Sequence, residues 1–186
     1  MSRPFSLRRV ARTPERVRCA RKASQAAGVP GRQTESKASG SADFVDHFRS
    51  MDNTFDYQWE ERWVRDAGYM KIVPPVIARC LAAAKAKPED VGTFILPSTI
   101  RGVSAAVAKA AKIADTAVAD SLGPVCGDTG VAHPLVMLVA ALEKAKPGDK
   151  ILVVGFGQGA DALLFEVTPE ISKLSPRMGV KGHLAR

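Results

Sequence analysis

Apolar residues recur at three- and four-residue spacing across residues 69–86, where Met70, Val73, Ile77, Leu81 and Ala84 form one stripe. That period predicts a long amphipathic helix with a single buried face. Pro74 and Pro75 fall near its start, and the pattern places them in or before the first turn, where a missing N–H costs little. The turn Lys87-Pro88-Glu89-Asp90 leads to a predicted strand Thr93-Phe94-Ile95-Leu96, bounded by Pro97. A second helix is predicted over residues 101–112, with a small face of Ala105, Ala106, Ala108 and Ala110 that lets it approach a sheet closely. The linker at residues 114–124 has room for a short strand at residues 117–119.

Beyond the linker the pattern turns almost wholly apolar, predicting a buried helix over residues 135–142. The turn Lys146-Pro147-Gly148-Asp149-Lys150 follows, then a strand Ile151-Leu152-Val153-Val154, the loop Gly155-Phe156-Gly157-Gln158-Gly159 and a last strand through Leu163-Leu164-Phe165-Glu166-Val167. Upstream, residues 43–51 read as a short amphipathic helix with Phe44, Val45 and Phe48 on one side, and a polar and aromatic connector joins it to the first long helix. No internal repeat is visible. The alternating helix and strand order argues for an α/β architecture with a mixed sheet, flanking helices and at least one parallel crossover.

Composition changes this picture chiefly at the N-terminus. Eight Arg and two Lys against two Glu in residues 1–42 account for the whole net charge of +8, so residues 43–186 are formally neutral. Three segments follow from this: a disordered basic tail at 1–42, a folded domain at 43–168 and a C-terminal tail at 169–186. The Arg-rich, acid-poor tail also has the composition of a mitochondrial transit peptide or of an upstream stretch read from another start, so the expected location is cytoplasmic, or mitochondrial if the tail is a presequence. Nucleic acid is not an expected partner, because Trp59 and Trp63 sit among Glu60, Glu61 and Asp66 and the folded part lacks a basic face. Membrane insertion is not expected either, since no apolar run approaches the roughly 18 residues a span requires. Cys19, Cys80 and Cys126 have no CxxC spacing, which points away from a disulfide framework or a zinc site.

The order running from Cys126-Gly127-Asp128-Thr129-Gly130 through the apolar helix to the Gly155-Phe156-Gly157-Gln158-Gly159 turn resembles the C-terminal end of the thiolase superfamily. The ketoacyl synthase III and hydroxymethylglutaryl-CoA synthase branch is the most similar. The resemblance extends over residues 43–168 and implies a partial thiolase-like fold, most of one α/β half of a duplicated architecture. It also implies an acyl-thioester condensing enzyme whose nucleophilic Cys lies in the half this chain lacks. In that branch a His and two Asn serve the site; here Ser98 stands at the His position, Arg101 at the coenzyme A channel Asn, and Asp128 at the second catalytic Asn.

The chemistry explains why these departures matter. Condensation needs a thiolate to carry the acyl group and donors that stabilise charge on a thioester oxygen. A carboxylate at Asp128 repels such charge unless burial keeps it protonated, while the same residue before a helix is also a good N-cap. Ser98 donates a hydrogen bond but cannot carry positive charge. His133, preceding Pro134, reads either as a structural His or as a catalytic one. The candidate catalytic set is therefore Asp128, Ser98 and His133, and the candidate substrate-binding set Arg101, Gly127, Gly157 and Gly159.

No metal or bound cofactor is expected; acyl-CoA or acyl carrier protein is the expected substrate. The expected macromolecular partner is a complementary N-terminal half or another copy of the chain, with apolar faces of the helices at residues 70–86 and 101–112 left exposed to meet it. A non-catalytic acyl-CoA-binding or assembly subunit is the alternative. A dinucleotide module, suggested by Gly155-Phe156-Gly157-Gln158-Gly159, is a third and distant reading, because a strand rather than a helix is predicted after the glycines.

Overall fold

The computed structural model describes residues 32–48, 50–174 and 177–185. Six strands are present among them: β1 (Arg32–Ser41), β2 (His47–Phe48), β3 (Tyr57–Gln58), β4 (Thr93–Ile95), β5 (Lys150–Gly157) and β6 (Gly159–Val167). The main sheet has the order β1-β6-β5-β4. β4 runs parallel to β5, whereas β5 and β1 both run antiparallel to β6. An isolated parallel bridge between Phe94 and Val118 extends the sheet beyond β4, at the position where the sequence left room for a short strand.

Strand alternation divides the core into two faces. Leu152, Val154, Ala162 and Leu164 turn toward the layer formed by α2 (Met70–Ala84) and α3 (Val103–Ala110), meeting Val73, Ile77, Leu81, Val103 and Val107. Ile151, Val153, Phe165 and Val167 turn the other way, onto Met137 and Leu138 of α5 (His133–Leu142). The result is a three-layer α/β sandwich with a mixed sheet, the fold that the hydrophobic pattern predicts.

Four local expectations are corrected. Residues 32–41, expected within the tail, form β1 along β6, and the rest of that expected tail lies outside the described residues. Its sequence is polar, but small residues fall beneath α2: Ser36 Oγ donates to the Cys80 carbonyl at 2.8 Å, and a Cβ at Gly40 would lie 2.9 Å from Val76. Residues 43–51 form no helix. Phe44 is buried in stacked contact with Trp63 at 4.6 Å, and the segment continues into the β2–β3 hairpin, where Phe48 faces Tyr57 directly across the pair, with ring centroids 5.6 Å apart.

The first long helix begins before its predicted start, as α1 (Glu61–Trp63) and a π-helical turn at Val64–Tyr69 leading into α2. Pro74 and Pro75 therefore lie inside the helix, where neither can donate to the carbonyl four residues back. The segment at 169–186, expected as a tail, holds a 3-10 turn (Pro169–Lys173) and α6 (Gly179–Leu184). Glu143 at the end of α5 accepts the backbone N–H groups of Val180 and Lys181 and ties α6 down.

The exposed apolar surface is also not where the sequence puts it. Apart from Lys71, Arg79 and Lys109, α2 and α3 present mainly small residues outward, such as Ala82, Ala83 and Ala105, because most of their large apolar side chains face the sheet. Between them lies a groove of about 390 Å³ lined by Pro74, Ile77, Leu81 and Ala111. The large exposed side chains lie instead around α5, which is not a buried helix: Val131, Leu135 and Val139 all face outward. Trp59 and Trp63 are half exposed.

Candidate thioester site

Parallel pairing brings the carboxyl ends of β4 and β5 and the bridge at Val118 to one edge of the sheet, which is where open α/β sheets place their ligand crevices. Three connections rise from that edge. The first carries Ser98 and Arg101 from β4 to α3. The second runs from Ala119, whose N–H is held by the Phe94 carbonyl at 2.9 Å, through Cys126 and Asp128 to α5. The third is the turn at Gln158 between β5 and β6, closed by pairing of Gly157 with Gly159. Because this turn joins two antiparallel strands, no helix N-terminus follows the glycines. The dinucleotide reading is thereby excluded.

The second connection is held by its own polar side chains. α4 (Gly123–Cys126) opens after Asp120 Oδ1 accepts the Leu122 N–H. His133 is buried at 5% exposure. Its Nδ1 accepts from the Thr129 backbone N–H at 3.2 Å, and its Nε2 lies 2.6 Å from the Ser121 carbonyl. A backbone N–H can only donate and a carbonyl can only accept, so the ring is the neutral tautomer with the proton on Nε2. Both nitrogens thus tie the two ends of the loop together. Asp128 is more than half exposed, and its Oδ1 accepts the Gly130 N–H at 2.8 Å, an Asx turn leading into the short 3-10 segment Gly130–Ala132. Its distance to His133 Nδ1 is 3.9 Å, outside hydrogen-bond reach.

Neither described cysteine is set up as a nucleophile. Cys80 is buried beneath β1 and β6, where its thiol reaches Ser36 and the Ala162 carbonyl, and burial raises its pKa despite those bonds. Cys126 Sγ donates to the Leu122 carbonyl at 3.3 Å and has no His partner. Cys19 lies outside the described residues. Among the described residues no group of three or more His, Cys, Asp and Glu could hold a metal ion.

Of the substrate-binding candidates, Gly127 and Gly157 face open space, and a Cβ at either meets nothing within 4 Å. Gly159 is different: at φ +123° its missing Cβ lies against the Gly40 carbonyl and 2.9 Å from Ser41 Cα, so it serves the β1–β6 contact. Arg101 is exposed on the turn before Gly102 and is not drawn to the other candidates by any described contact.

A residue absent from the sequence-based set joins these loops. Tyr69, at the end of the π-helical turn, is buried at 9% exposure and stacks on Phe156 of the glycine turn at 4.0 Å. The Ser98 side chain lies near its phenol, and Ser98 Oγ accepts the Ile100 N–H at 3.1 Å. Nothing in the local sequence marks this tyrosine, because it falls on the apolar stripe as one more core residue.

Burial raises the Tyr69 phenol above the usual value of about 10; the nearby Ser98 hydroxyl opposes the shift, and the Asp46 and Asp128 carboxylates add to it. The fold therefore favours the neutral phenol. The stability this contributes is present below the unfolded value near pH 10 and lost as pH rises through the folded value. Urea midpoints followed from about pH 8 to about pH 11 should fall for the parent, and Tyr69→Phe should flatten that decline.

Residues 81–166 match the family described as 3-oxoacyl-[acyl-carrier-protein (ACP)] synthase III C terminal. Among curated relatives, hydroxymethylglutaryl-CoA synthase of Methanosarcina mazei is 30% identical over 119 residues, covering 62% of this chain and 34% of the relative. The enzyme of the same name from Methanocella arvoryzae is 28% identical over 178 residues, covering 81% and 51%. The chain spans about half or less of the length of these relatives. Among solved structures, 3-oxoacyl-[acyl-carrier-protein] synthase III of Aquifex aeolicus superposes with a TM-score of 0.63 at 18% identity, covering 73% of this chain and 45% of that one. Xanthomonas campestris OleA with bound lauric acid and lauroyl-CoA gives 0.56 at 18% identity, covering 74% and 40%.

Proposed function

Because the chain is a thiolase-superfamily protein of the ketoacyl synthase III and hydroxymethylglutaryl-CoA synthase type, we propose that it acts as the acyl-thioester-binding C-terminal half of a condensing enzyme. A complementary half supplies the nucleophilic Cys. The observation that carries this reading is the convergence of the Ser98 connection, the Asp128 connection and the Gly-Phe-Gly-Gln-Gly turn at one sheet edge, in a chain whose described thiols are both unactivated. In this reading acyl-CoA or acyl carrier protein brings the thioester, and no metal or resident cofactor takes part. The glycine turn leaves room for the thioester chain at Gly157, and the polar groups beneath it orient the carbonyl. Among the described residues no helix is long and apolar enough to cross a membrane.

A second reading, a non-catalytic acyl-CoA-binding or assembly subunit, is favoured by one specific observation. Ser98, Asp128 and His133 each direct a polar atom to their own backbone, an arrangement that maintains the loops whether or not chemistry occurs.

Incubation of the chain with acetyl-CoA should leave no acyl adduct on any cysteine by intact-mass spectrometry. Addition of the Cys-bearing complementary half should produce an adduct on that half and restore condensation. Adduct formation on the partner without any condensation selects the non-catalytic reading, and a stoichiometric acyl group on Cys126 of the isolated chain overturns both.

A further inference from the structure

We propose that a second copy of this chain covers the outer face of α5, the two helices packing antiparallel about a two-fold axis at Leu135. This goes beyond the acyl-thioester reading and does not rest on it.

The need for a cover follows from the helix itself. Every residue from Leu135 to Leu142 is apolar, yet of these only Met137 and Leu138 are buried. Val131, in the 3-10 turn leading into α5, is fully exposed, while Leu135 is 59% and Val139 44% exposed. These three stand at i, i+4 and i+8, one row along the helix surface. A helix that is apolar on all sides belongs in a protein interior or a bilayer. Ten residues rise only about 15 Å, half the hydrocarbon thickness, so α5 cannot span a membrane. α6 is already tied to α5 through Glu143 and still leaves the row open.

The row is its own complement. Ridges of i, i+4 spacing interdigitate with ridges of the same kind, and a two-fold pair offers the same patch from both sides. Because the row is symmetric about Leu135, antiparallel pairing sets Leu135 against the partner's Leu135 and Val131 against the partner's Val139.

Charge selects the direction. No Asp, Glu, Lys or Arg occurs from Thr129 to Leu142, and His133 is buried with both ring nitrogens engaged in its own loop. Asp128 stands exposed before the row. Beyond its other end, the Glu143 carboxylate is taken up by the Val180 and Lys181 N–H groups of its own chain. Lys144, which is exposed, is therefore the charge at that end. Antiparallel pairing brings each Asp128 toward the partner's Lys144, whereas parallel pairing sets like against like.

Three large side chains per copy make a face smaller than the roughly 800 Å² per partner of a standard interface, so dissociation is expected in the micromolar range. Sedimentation of the full chain from about 1 to about 100 μM should therefore show a monomer passing into a dimer. Leu135→Asp, at an exposed position, sets two carboxylates on the axis; it should raise the Kd about hundredfold or more with the far-UV circular dichroism unchanged. Lys144→Asp should raise it about tenfold, and it keeps the test open if Leu135→Asp fails to fold. Leu135→Cys under mild oxidation should form a disulfide-linked dimer that the parent does not. A parent that stays monomeric throughout overturns the proposal and leaves the face to a complementary half. A dimer that survives Leu135→Asp or Lys144→Asp unweakened, or a Leu135→Cys chain that cross-links no more than the parent, overturns it too. None of these measurements involves a thioester, so the thioester reading stands or falls separately.

Discussion

Gly159→Ala is expected to lower the unfolding free energy by about 3 kcal/mol or more, whereas Gly157→Ala, two residues away on the same turn, is expected to cost less than about 1 kcal/mol. Gly159 sits at φ +123° with its missing Cβ against the Gly40 carbonyl, so alanine is strained and also pushes β1 away from β6. Gly157 has open space at the same point. Urea unfolding midpoints distinguish the two. Equal losses would show that β1 is not seated on Gly159. For Gly157→Ala the expected effect is on ligand affinity, because the added methyl projects into the opening that the proposed thioester occupies.

His133→Ala should be nearly as costly, about 2–4 kcal/mol. The substitution empties a buried site and leaves the Ser121 carbonyl and the Thr129 N–H without their partner. Since that ring joins both ends of the 119–132 connection, the same variant should also loosen Cys126 and raise its rate of thiol labelling. Thermal unfolding and labelling with a maleimide read the two effects. A variant with unchanged stability and unchanged labelling would show that the ring is not what holds this connection, and would return His133 to the list of residues available for chemistry.

The parts of the fold legible in the sequence are those in which periodicity and burial agree. α3, β4 and β5 were readable because each carries its large side chains on one face or as one short apolar run. β1 was not readable. Its inward positions Ser36, Ala38 and Gly40 are small so that α2 can approach, and a strand built on small and polar residues has the composition of a linker. Residues 43–51 misled in the opposite direction, since Phe44, Val45 and Phe48 fit a helical period, but only Phe44 is buried and Phe48 instead pairs across the hairpin. At the candidate site, the resemblance to the thiolase superfamily pointed to Ser98, Asp128 and the glycine turn. It did not point to Tyr69, which meets Phe156 only once the helix and the glycine turn are brought together across the fold.

The pairing of β1 with β6 also governs when the molecule can be completed during synthesis. Arg32 is paired with Val167 and Ser41 with Gly159, so the first described strand waits through more than a hundred residues of translation for its partner. At roughly 5–20 residues per second, that interval is on the order of ten seconds. For most of it, after α2 has emerged, Val76 and Cys80 stay uncovered, because the sheet face that shields them belongs largely to β1 and β6. Until β6 leaves the ribosome the nascent chain keeps that apolar face exposed, and closure of so long a loop slows folding.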